Sequence, residues 1–123
     1  MSGQQAEPTS EQLARRIAET ALDKKARDVV VLDMRGVVSY TDFFVICTGN
    51  TERQTQAIED AIYLGLKHSD QEKILPARVE GRTQARWILM DYLDCIVHIF
   101  TPAALDYYRL EMLWGEVPAL EVG

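Results

Sequence analysis

Two small constellations in this 123-residue chain have residue types that could do chemistry. Thr48, Gly49, Asn50 and Thr51 form a small-residue turn between an apolar run and a helical pattern. Such a turn can cradle phosphate where backbone N–H groups converge at a helix N-terminus. One glycine, however, is neither G-x-G-x-x-G nor part of a loop ending in G-K-[ST], and a helix-cap turn is the simpler reading. The second set is Asp42, Asp91 and Asp94, three carboxylates near strand ends that could hold Mg²⁺ for phosphoryl transfer. Small nucleotidyltransferases with a comparable strand order carry a Gly-Ser turn followed by a D-x-D pair on one strand face. Here Gly49 is followed by Asn50, and Asp91 and Asp94 are three apart across a turn. The signature is missing, and turn-forming or surface roles suit these aspartates better.

The other reactive side chains read as structural. Cys47 and Cys95 each sit inside an apolar β-type run, with no C-x-x-C and no histidine at ligand spacing, as buried reduced thiols would. His68 ends a helical pattern, where partial positive charge suits the carbonyl end. His98 lies within an apolar strand, the setting of a satisfied core residue. Ser2, Ser10, Ser39 and Ser69 fall in tail, cap or loop positions with no His and Asp evident around them. No catalytic residue, metal site or cofactor is expected.

The elements that hold these residues follow from periodicity. Residues 1–8 are small and polar, a disordered tail. Thr9 and Gln12 have capping-box spacing, and Leu13, Ile17 and Ala21 with Ala14, Ala18 and Leu22 form one apolar stripe, predicting a helix over 10–26. Residues 29–33, VVVLD, form a β-branched strand, residues 35–36 a turn, and 41–49, TDFFVICTG, contain a second strand. Thr51 and Gln54 repeat the capping-box spacing, and Ala57, Ile58, Ala61, Ile62, Gly65 and Leu66 carry the helix to about His68. Then come a weak strand at 78–80, a turn at 81–83, a strand at 87–91, a tight connection at 92–93 and a strand at 94–100. Thr101 and Pro102 open a last helix that holds Tyr107, Tyr108, Leu110 and Leu113 and ends near Trp114. The tail 116–123 is expected to be loose, leaving one domain at 9–115. The order α-β-β-α-β-β-β-α lacks strict alternation, so the expected fold is α/β with a mixed sheet of about five strands and helices packed on it. The strand at 95–100 is apolar on both faces and should be central.

Composition narrows the partner. The net charge is −6, with 19 Asp and Glu against 13 Lys and Arg. Lys24, Lys25 and Arg27, the densest basic group, are flanked by Asp23 and Asp28, so direct nucleic-acid binding is disfavoured and a basic protein suits the charge better. No apolar run is long enough to span a membrane, and the N-terminus has no leader pattern, so a cytoplasmic protein is expected. On the strand at 87–91, alternation puts Trp87, Leu89 and Asp91 on one face and Ile88 and Met90 on the other. An apolar centre beside an acidic rim would make a docking patch. The same alternation also allows Trp87 simply to be core.

The segments D-VVVLD (28–33), TDFFVICTG (41–49), the helix from Gln54 to Ile62, VEG (79–81), W-ILMDYLDCIVHIF (87–100) and YYRLEMLW (107–114) lie in an order that resembles the ribosomal silencing factor, or Iojap-like, family. The resemblance spans about 12–114. It implies a nucleotidyltransferase-like fold without the catalytic residues, in agreement with the missing signature. It further implies a non-enzymatic factor that binds the large ribosomal subunit through its L-fourteen protein and sterically prevents joining with the small subunit. Translation would thereby be repressed under nutrient limitation or in stationary phase. By position, Trp87, Leu89, Asp91 and Asp94 are the implied contact residues, with a homodimer in the free state. A divergent metal-dependent nucleotidyltransferase is the enzyme alternative, and a phosphate-binding regulatory domain at 48–51 a weaker third.

Overall fold

The computed structural model describes residues 9–69, 73–108 and 117–120. Its elements run α1 (Ser10–Asp23), β1 (Arg27–Asp33), β2 (Phe43–Thr48), α2 (Glu52–Lys67), β3 (Arg78–Glu80), β4 (Trp87–Asp91), β5 (Cys95–Phe100), α3 (Pro102–Tyr108) and β6 (Ala119–Leu120). The capping box is made as expected: Gln12 N–H donates to Thr9 Oγ1 at 3.1 Å, and Thr9 N–H to Gln12 Oε1 at 2.9 Å. Thr51 caps α2 by accepting from Gln54 N–H. Thr101 caps α3 by accepting from Ala104 N–H. Where α3 goes beyond Tyr108, with the expected Leu110, Leu113 and Trp114, lies outside the described residues.

The strands form one six-stranded sheet in the order β3-β4-β5-β2-β1-β6. β2 and β5 are parallel and adjacent, joined by the crossover through α2, β3 and β4, while the other neighbouring pairs are antiparallel. Both central strands are buried at every position. Phe43, Val45, Cys47, Cys95, Val97 and Ile99 point into the core that α1 and α2 cover with Ile17, Ile58 and Ile62. Phe44, Ile46, Ile96 and Phe100 point to the opposite face, where Met34 and α3's Ala104 pack on them. Burying an Ile or Phe side chain of this kind contributes about 2 kcal/mol.

Two expectations, the end of the first helix and the loose tail, need correction. The first helix stops at Asp23 rather than Ala26, because Lys25 turns left-handed (φ 64°) and Ala26 N–H closes back on the Ala21 carbonyl. The mixed sheet, expected to have about five strands, has six. The sixth comes from the segment 116–123, expected to be loose, in which Leu120 and Ala119 pair with Val31 and Leu32. Asp33 N–H also donates to the Pro118 carbonyl at 2.8 Å. Two residues are too few to leave a periodicity signal, yet they cover the open amides of β1.

The turn between β3 and β4 is clamped to α2. The Thr55 hydroxyl donates to the Ala85 carbonyl, and Arg82 Nε lies 3.1 Å from the carboxylate of Glu59, which is only 2% exposed. Arg82 is itself exposed, so the pair contributes chiefly by satisfying a buried carboxylate rather than by net attraction. Burial pushes the Glu59 carboxyl up, and Arg82 opposes that shift. Gly81 makes the clamp possible: at φ +82° a Cβ would lie 2.0 Å from the Trp87 carbonyl oxygen. Gly81→Ala should therefore lower stability by about 3 kcal/mol, from left-handed strain plus the clash. Urea unfolding checks it, and a midpoint unchanged from the parent would show that the turn yields freely.

Candidate functional site

β4 brings the site residues together by simple alternation. Ile88 and Met90 are fully buried against the α1–α2 core, whereas Trp87, Leu89 and Asp91 lie half-buried on the other face. The helices α1 and α2 leave that face open, and α3 packs at its β5 end. The result is a groove of about 620 Å³ whose walls include Tyr40, Phe44, Trp87, Leu89, Leu93 and Ile96. His98, also lining it, comes from β5 directly opposite Leu89. Trp87 is therefore neither wholly core nor free surface. One side of its ring stacks on Phe100 at a centroid distance of 5.1 Å.

The floor is set by a histidine. Trp87 Nε1–H donates to His98 Nδ1 at 3.1 Å, and Phe44 meets the imidazole edge-on at 4.8 Å. With Nδ1 accepting, the neutral ring carries its proton on Nε2. Burial among these rings pushes the histidine down to about 4, so it is uncharged at neutral pH. The indole is thus fixed in orientation by a group that adds no charge to the groove. The expectation that His98 is a core residue holds, but its link to Trp87 leaves no trace in residue spacing.

The acidic members behave less alike than spacing implied. Asp91 Oδ1 accepts from Leu93 N–H at 2.8 Å, and Oδ2 lies 3.4 Å from Arg78 Nε. Its carboxylate is engaged within the chain, closing the β4–β5 connection as Asx turns do. Asp94 is exposed and stands outside the groove walls; its carbonyl accepts from the N–H groups of Asp42 and Phe43. The structure thus gathers Trp87, Leu89 and Asp91 and leaves Asp94 to one side. It adds Tyr40 from the ambiguous 37–40 segment, Arg78 from β3 and Leu93 from the connection. Only strand pairing reveals Arg78, which lies opposite Asp91.

The alternative chemistry finds little to work with. Among the described residues, no three His, Cys, Asp or Glu side chains are arranged to hold a metal ion. Residues 48–51 make the expected cap turn: Gly49 N–H donates to the Phe100 carbonyl, and the glycine lies so close to Thr55 that a Cβ would meet its nitrogen at 2.9 Å. A small pocket of about 200 Å³ beside Thr48 is lined by Arg27 but also by Asp28 and Asp106, a balance that does not favour an anion. Cys47 and Cys95 are buried free thiols, and burial pushes Cys47 up to about 12, out of the nucleophilic range.

The depressed histidine makes stability depend on pH. Its folded value lies below the ordinary 6.5, so protons bind the unfolded chain first. The contribution is whole above pH 6.5 and is lost as pH falls toward 4, by about 1.4 kcal/mol per unit and about 3 kcal/mol in all. His98→Gln keeps an acceptor for Trp87 but cannot titrate. Urea unfolding between pH 7 and 4 should show the parent losing stability more steeply than this variant, and parallel slopes would refute a buried neutral imidazole.

Comparison with known proteins agrees with this architecture. The family described as "Ribosomal silencing factor during starvation" matches residues 7–123. Ribosomal silencing factor RsfS of Halalkalibacterium halodurans is 45% identical over 100 residues, covering 81% of this chain and 83% of that one. Its Bacillus subtilis counterpart is 40% identical over 81% and 82% of the two chains. A crystal structure of a Chromobacterium violaceum protein superposes with a TM-score of 0.81 at 29% identity, covering 94% of each chain. The resemblance drawn from the segments between 28 and 114 is thereby sustained across almost the whole sequence, and the chain belongs to the ribosomal silencing factor family.

Proposed function

We propose that the chain represses translation by docking the groove face of its sheet onto a basic protein of the large ribosomal subunit. The L-fourteen protein is the partner that the family resemblance implies. Bulk then does the rest: a domain seated where the small subunit must approach prevents joining without making or breaking a bond. The unit that docks is the single domain read at 9–115 together with the β6 segment that completes its sheet, and it acts in the cytoplasm when nutrients are limiting or growth has stopped. No catalytic step, metal or cofactor is part of this reading. A free chain can bury the same face against a second copy.

The observation that carries the reading is the groove itself. Trp87 and Leu89 lie half-buried on a sheet face beside Tyr40 and Leu93, two of the most exposed large apolar side chains among the described residues. An apolar, aromatic centre with a polar rim is the anatomy of a protein-binding surface. Charge supplies the selection. A subunit surface is mostly RNA, so a chain of net charge −6 is repelled except over a basic protein patch. With Asp91 engaged by Arg78, the attraction is carried by the surface as a whole, exposed Asp94 included, rather than by one rim carboxylate.

Co-sedimentation with separated subunits and with joined ribosomes tests this directly. Retention on the large subunit alone, together with loss of subunit joining, is the expected outcome. Absence from every ribosomal fraction at micromolar protein and low salt would sink it. Leu89→Thr, which keeps a strand-forming residue but removes apolar contact, should weaken retention about ten-fold. Asp94→Lys should weaken it a few-fold at low salt, an effect that fades as salt rises.

A further inference from the structure

Leu93 occupies a conformation that its side chain makes unfavourable. Its φ is +72°, in the left-handed region where a Cβ crowds the backbone and glycine or asparagine is at ease. Three other described non-glycine residues share that region, each with an evident local use. Lys25 ends α1, Asp28 sits where the β1–β2 register shifts, and Ala85 accepts from Thr55. Leu93 alone among them carries a bulky apolar side chain.

That side chain gains almost nothing from the fold. At 64% exposure it is the most exposed large apolar residue among those described. Its backbone is held in place from outside its own preference, by the Asp91 carboxylate accepting its N–H. The isolated domain would be better served by glycine. The same geometry projects an aliphatic knob onto the wall of the groove, continuous with Trp87, Leu89 and Ile96. Strain tolerated at one position, with the side chain unburied, points to a use outside the chain.

We propose that Leu93 is an affinity-determining contact, which the Asp91–Leu93 hydrogen bond holds upright for an aliphatic side chain on the basic large-subunit protein; this rests on the docking function above. The partner surface is then basic overall, matching the charge of −6, but apolar at the point that meets the groove mouth. Asp91 acts here as a positioning residue: its carboxylate sets the knob rather than meeting the partner's cations.

The test combines stability with retention on purified large subunits, using the full chain. Leu93→Gly and Leu93→Asn relieve the strain, so each should raise the thermal midpoint by about 3 °C. Each should also weaken retention at least about five-fold. Leu93→Met restores an apolar knob and should bind within about two-fold of the parent, with no gain in midpoint. A stabilised Leu93→Gly chain that binds like the parent would overturn the inference while leaving the docking function standing. So would a glycine variant that loses midpoint, since Leu93 would then support the fold, or one that only dissociates a dimer, since a second copy would be the occupant. If the parent itself is not retained, both readings fall together.

Discussion

Pairing Phe43–Thr48 in parallel with Cys95–Phe100 commits the molecule to covering both faces of its sheet. Parallel strands need a long crossover between them, and here it supplies α2, β3 and β4 in one excursion. Both strands are apolar at nearly every position, so neither face of the pair tolerates water. α1 and α2 cover one face with a broad layer of Leu, Ile and Ala. On the other, Met34, Val38 and the short α3 pack near the β2–β5 pair. What the described residues do not cover becomes the groove. Among the described residues, the candidate site is thus the open part of a two-sided core, not an addition to a completed fold.

An unfinished apolar face is a hazard unless its shape is fixed. A single buried imidazole does much of this by accepting from the Trp87 indole and giving Phe44 an edge to pack on. A polar contact inside an otherwise apolar wall is costly if broken, which narrows the arrangements the rings can adopt. From behind, the turn before Trp87 is tied to α2 through Thr55 and Glu59. The face is therefore fixed in shape by contacts within the chain, which would leave little ordering to be done on the proposed docking.

Much of this was legible in the sequence because the signals were local. The two caps at Thr9 and Thr51 and the largely apolar run at 95–100 report a helix start or a strand within a few residues of themselves. The alternation that separates Trp87, Leu89 and Asp91 from Ile88 and Met90 did the same for the site. What escaped depends on contacts far apart in the chain. Arg78 enters the groove through its pairing with Asp91, and the two-residue β6 exists because β1 offers it a ladder. The end of α1 was misplaced because nothing about lysine announces a left-handed turn. The same holds for Leu93, whose unusual backbone is dictated by a side chain two positions before it. Asp94 was grouped with Asp91 by position in the family resemblance, yet across the tight connection only the Asp91 carboxylate is engaged, by Leu93 and Arg78, while Asp94 is exposed.

The two cysteines have a consequence of another kind. Cys95 is in register with Phe43, and Cys47 with Ile99, so the thiols are four rungs apart along adjacent strands. At about 3.3 Å per residue along the strands and about 4.8 Å between them, their Cα atoms stand roughly 14 Å apart, well past the 7 Å or so that a disulfide can bridge. Both are also sealed inside the core. Neither thiol can therefore close a disulfide with the other or offer its sulfur to an oxidant while the fold is intact, so these two cysteines cannot serve it as a redox switch.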